Sequence, residues 1–158
     1  MKFIRYGRSS QKLVPLKSRR GDFWRINPRL AEGGATASKK NRRFISSTFF
    51  TVHYAHTKYK DKNFHIGFTA SIKSVSKLAI RRNYAKRLLR AAINENIRDF
   101  PKLYRIDSIW TAKRDFHGAS YPEFSAEIRR ALERMAASAT KHRAKDAESQ
   151  PEPGNEKK

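Results

Sequence analysis

Bulky apolar residues recur with helical or strand periodicity between about Asn41 and Met135 and lose that order on either side. One small core is therefore all that this 158-residue chain can build, near the lower size limit for independent stability. Residues 1–40 carry Pro15, Pro28, Gly21, Gly33 and Gly34 among scattered cations, with no sustained period of 3.6 or 2.0. They read as a basic, largely disordered arm with a short helix near 35 to 43. Residues 136–158 end in Gln150-Pro151-Glu152-Pro153-Gly154 and hold too few large apolar groups to offset the entropy of ordering, so they read as a disordered polar tail.

Within residues 41–135 the elements follow from local patterns. Ser47 to His56 is rich in aromatic and β-branched residues and predicts a first strand. The charged turn Lys58 to Asn63 separates it from a second, Phe64 to Ile72, a pairing that predicts an antiparallel hairpin. Val75 to Ile97 has helical spacing, with Leu78, Ala85, Leu88, Leu89, Ala92 and Ile93 within one arc. Arg82, Asn83, Lys86, Arg87, Arg90 and Asn94 fill a neighbouring arc, so one flank of that helix can track a phosphate backbone. Pro101 stops the helix, and Ile106 to Ala112 predicts a third strand. Ser120-Tyr-Pro-Glu123 is a capping box that opens a last helix, whose stripe Phe124, Ile128, Ala131, Leu132 and Met135 faces the core. The order strand, strand, helix, strand, helix predicts a small α+β domain with a mixed sheet.

Charge narrows the function. Through Asn94 the chain has 23 Lys+Arg against three acids, Asp22, Glu32 and Asp61, which places +20 of the net +22 there. Such a field binds polyanions by releasing their counterions, and makes nucleic acid the leading partner class. Absence of cysteine excludes disulfides, thiol nucleophiles and cysteine-ligated metals. No apolar run approaches the roughly 18 residues that cross a bilayer, so no membrane association is expected. Met1-Lys2-Phe3-Ile4-Arg5 is not followed by the apolar segment of a secretory signal, which points to a cytoplasmic protein. Residues 1–30, with Asp22 as their only acid, also fit a mitochondrial transit segment.

Protein-borne chemistry finds no constellation to carry it. His53 and His56 lie three apart in a predicted strand, on opposite faces, and make a poor metal pair. Asp107, Asp115 and His117 sit at a strand start and a turn, where solvation and capping account for them. No glycine-rich phosphate loop is present.

Ala79-Ile-Arg-Arg-Asn83, with Lys86-Arg87 and Arg90 in register, follows Gly67-Phe-Thr-Ala-Ser71 and precedes Asp107-Ser-Ile-Trp-Thr-Ala-Lys113. These three segments in this order resemble the protein component of bacterial ribonuclease P over about residues 42–135. Tyr84 stands where that family carries an arginine, and the stretch from Gly67 to Arg82 is about two residues longer than the family pattern. The resemblance implies a left-handed β-α-β crossover fold and the role of an endoribonuclease holoenzyme subunit. In that role the basic helix docks on the catalytic RNA, and a cleft between the sheet and an N-terminal helix holds the single-stranded 5′ leader of precursor tRNA. The RNA, not this chain, cleaves the phosphodiester, with bound Mg²⁺. Carried onto this sequence, Arg82, Asn83, Lys86, Arg87 and Arg90, with Lys73 and Lys77 of the preceding loop, contact the catalytic RNA. Phe50 and His53 are candidates for the leader cleft, where the family has phenylalanine and tyrosine. The implied partners are the RNase P catalytic RNA and precursor tRNA, with no obligate protein partner. A ribosomal-protein-like or chaperone-type RNA binder with no role in cleavage would share the same basic face.

Overall fold

The computed structural model describes residues 13–15, 43–56 and 63–148. Among them, the strands β1 (Leu13–Pro15), β2 (Arg43–Ser46), β3 (Phe50–His56), β4 (Phe64–Thr69) and β5 (Ile106–Ala112) form one sheet in the order β1-β4-β5-β3-β2. Helix α1 (Ala79–Asn96) joins β4 to β5, and α2 (Tyr121–Glu148) ends the described chain. β5 pairs in parallel with β4 and antiparallel with β3, so the sheet is mixed and α1 is the crossover of a β-α-β unit.

The order of strands corrects the hairpin expectation. β3 and β4 do not touch each other, because β5 lies between them. Six of the seven β5 residues are buried, and Trp110 and Ile109 expose no surface, the pattern of a central strand with neighbours on both edges. β3 and β4 therefore sit two strand spacings apart, about 10 Å, too far for a tight turn to join them as a hairpin. Two short strands also escape the sequence reading. Leu13–Pro15, inside the expected disordered arm, pairs in parallel with β4, and Leu13 packs against the core. Arg43–Ser46 pairs with β3, while the rest of the helix expected near 35 to 43 lies outside the described residues.

Pleating sorts the core. Phe50, Val52 and Tyr54 of β3 and Trp110 and Ala112 of β5 lie on the face that packs against the helices. From α1 they meet Ala85, Leu89, Ala92 and Ile93, and from α2 the whole expected stripe Phe124, Ile128, Ala131, Leu132 and Met135. Leu78 departs from its expected place: it precedes the first turn of α1 in an extended conformation and is 55% exposed. Buried Asn96 ties the two helices, donating to the Ala92 carbonyl and to Ser125 Oγ. Tyr121 hydroxyl donates to Glu95 at 2.6 Å, and that bond, with burial and the carboxylate charge, raises the tyrosine pKa.

The capping box of α2 forms as its sequence predicts: Ser120 N–H and hydroxyl both reach Glu123 Oε2, at 3.3 and 3.1 Å. The helix then runs past Met135 to Glu148, with Ala136 and Ala139 packed against the core, so the start of the expected tail is helical. Phe50 exposes no surface, its ring centroid 5.1 Å from that of Trp110 and 6.2 Å from that of Phe124. Phe50→Ala would leave a cavity at the junction of sheet and helix, and is expected to cost about 3–5 kcal/mol in urea unfolding. An unchanged unfolding midpoint would contradict this placement.

Candidate nucleic-acid interface

The basic surface is built from a turn and the helix that follows it. Ser71 and Ser74 close the turn reciprocally, each backbone N–H donating to the other's hydroxyl at 3.0 Å, and Val75 N–H donates to the Ser71 carbonyl. Buried Val75 pins the turn to the core, which leaves Lys73 and Lys77 exposed on either side of it. No side chain caps the start of α1. Arg82 instead reaches back from the first turn, its guanidinium donating to the carbonyls of Ser76 at 3.0 Å and Lys77 at 2.6 Å.

The expected row of contacts is thus divided by role. Arg82 and Lys86 are half-buried at the edge of the helix, and Arg82 is engaged with its own backbone. Asn83, Arg87 and Arg90 are exposed, with the Arg90 guanidinium 5.4 Å from the centroid of the Phe68 ring, a cation–π contact that holds its stem to the sheet. Arg82→Ala should loosen the turn rather than only remove a charge. Losing a charge-assisted hydrogen bond of about 1.4 kcal/mol predicts about tenfold faster hydrogen exchange at the Val75 amide. Exchange at the wild-type rate would show that the guanidinium does not hold the turn.

The second candidate surface is the sheet face turned away from the helices. One row across it runs Phe44, His53, Ile109, Gly67, and the next runs Ser46, Thr51, Thr111, Thr69, with the hydroxyls of Thr69 and Thr111 2.7 Å apart. His53 is half-buried here, its ring centroid 6.0 Å from that of Phe44, which is 68% exposed. Phe50 is not part of this face. It lies an odd number of residues from His53, and the strand pleat sends the two side chains in opposite directions, so the expectation that both line one cleft fails on geometry. Phe44, not Phe50, shares this face with His53. The sequence hid it because Arg43-Phe-Ile-Ser46 is too short to display a period.

Asp107 was expected to be solvated at a strand end, yet it is fully buried because β5 has neighbours along both edges. Among the described residues no three His, Asp or Glu side chains gather as metal ligands. No described helix is long and apolar enough to cross a membrane.

An exposed cationic helix and an open sheet face with paired rings are the parts of an RNA-binding surface. The sequence model of the family Ribonuclease P matches residues 35–136, which include β2 to β5 and all of α1. The chain belongs to the ribonuclease P protein family. Among solved structures it is similar to the RNase P protein of Staphylococcus aureus, at 22% identity over 79% of this chain and 94% of that chain, with a TM-score of 0.48. It is also similar to the RNase P protein of Thermotoga maritima, at 18% identity over 60% of this chain and 84% of that one, with a TM-score of 0.49. No curated protein sequence matches it. The family assignment rests on the sequence match alone, and it makes the chain a protein component of ribonuclease P. Within that family framework the matched stretch carries both surfaces just described: the turn and α1 on one side, and Phe44 with His53 on the other.

Proposed function

We propose that this chain binds the catalytic RNA of ribonuclease P through the exposed flank of α1 and the 5′ leader of precursor tRNA on the open sheet face, and that the RNA performs the cleavage. The observation that carries this reading is the exposure of Asn83, Arg87 and Arg90 on one side of α1 within the stretch matched to the family. Guanidinium groups so placed meet phosphates bidentately and release condensed counterions. A folded RNA supplies closely spaced phosphates, which a neutral ligand does not.

The leader belongs on the other face because a single strand presents free base faces and the sheet offers rings to meet them. Phe44 and His53 would stack with bases without sequence preference, and the neighbouring row of threonine hydroxyls would meet sugar and phosphate. Mg²⁺ for the reaction is assigned to the RNA. In support, the described acids of the helices are engaged with other side chains: Glu95 with Tyr121, Asp99 and Glu133 with Arg129, Glu123 with Ser120 and Glu127 with Arg130. RNA of this kind places the protein in the bacterial cytoplasm.

The test compares two substrates. With the chain bound to a bacterial RNase P RNA, precursor tRNA carrying a leader should bind more tightly than mature tRNA, by about fivefold or more if one base stacks. Equal affinities for the two would remove the leader from the sheet face.

A further inference from the structure

From the turn, the basic surface continues onto the opposite flank of α1, away from Arg90. Lys73 and Lys77 of the turn, Arg81 of α1, and Arg114 and His117 of the short helical turn Arg114–Gly118 line a groove of about 490 Å³. No acidic side chain lines it. Arg114 donates across it to the Lys73 carbonyl at 3.5 Å, joining the two walls.

Rings stand beside these charges. Tyr84 lies one helical turn beyond Arg81 and is 55% exposed, and its ring centroid is 6.1 Å from that of buried Phe116. The Phe116 ring in turn lies 3.9 Å from the His117 imidazole at the groove. An exposed tyrosine backed by a fixed phenylalanine is a rigid platform with one free face. Four cations with no acid among them suit phosphates, and a free ring face beside them suits a nucleobase. A continuous duplex brings the phosphates but keeps its base faces stacked within the helix; an unpaired nucleotide brings both.

We propose that this groove and Tyr84 form a second RNA subsite, which takes an unpaired base against the Tyr84 ring and its flanking phosphates on Lys73, Lys77, Arg81 and Arg114. The proposal rests on the reading of the chain as an RNA-binding component of ribonuclease P, and it gives Tyr84 a purpose where the family carries an arginine.

The full chain is titrated with two fluorescent RNA hairpins closed by the same structured tetraloop, one with a single bulged adenosine in its stem and one with a fully paired stem. The bulged hairpin should bind about five- to a hundredfold more tightly. Tyr84→Ala should abolish that preference with the salt dependence unchanged, and Tyr84→Phe should keep it. Arg114→Ala should lower the salt slope for both hairpins by about one while the preference persists. Both side chains are exposed, and thermal melting checks that the variants stay folded. Equal binding of the two hairpins by the wild type, or a preference that survives Tyr84→Ala, would overturn the subsite and leave the RNA-binding reading intact. Failure to bind either hairpin would overturn both.

Discussion

Replacing Arg87 and Arg90 together by alanine is expected to weaken binding to a bacterial RNase P RNA by about a hundredfold at physiological salt, and to reduce the slope of log K against log salt by about two. Both guanidinium groups are exposed, so neither substitution opens the core. Their loss removes two phosphate contacts and the counterions those contacts release. Lys86, half-buried on the same flank, offers less of its side chain to a phosphate. Binding measured across a salt series separates this outcome from a folding defect, which would lower affinity without a defined change of slope. A slope unchanged in the double variant would remove the flank from the interface.

The second large effect concerns the open sheet face. Phe44→Ala and His53→Ala are each expected to weaken binding of leader-bearing precursor tRNA to the RNA–protein complex by about five- to a hundredfold, with mature tRNA unaffected. Phe44 sits on an edge strand with most of its ring in solvent, so its replacement costs little stability. Phe50→Ala provides the contrast. It should weaken both substrates alike, through loss of folded protein, because its ring contacts only the interior among the described residues. Equal loss of precursor and mature tRNA in Phe44→Ala would return that ring to a structural role.

Much of the fold was legible where the determinants are local. The capping box at Ser120 and the stripe from Phe124 to Met135 depend on residues within three turns of one another, and both appear as expected. The stripe of α1 was legible from Ala85 to Ile93. It failed at Leu78 because the serines of the preceding turn and the reach of Arg82 delay the helix to Ala79. Strand order was not legible. Whether β3 meets β4 or admits β5 between them is decided by burial of a strand some 40 residues downstream, and no turn residue records it. The candidate site divides in the same way. The cations of α1 could be placed from spacing, and the odd spacing of Phe50 and His53 already set them on opposite faces, but that Phe44 joins His53 followed only from the pairing of β2 with β3. Arg81 meets Arg114 and His117 from two segments far apart in the chain, and their meeting had no sequence signal beyond the place of Arg81 in the basic run.

Cleavage of a precursor tRNA is the most direct measurement, with the purified chain alone, a bacterial RNase P RNA alone, and the two together at low Mg²⁺. Leader removal should be negligible with the chain alone, slow with the RNA alone and fast with both, and the Arg87→Ala/Arg90→Ala double variant should lose most of the gain. Leader removal by the chain without RNA, or no gain on adding it to the RNA, would contradict the division of labour between a cationic helix that binds and an RNA that cuts.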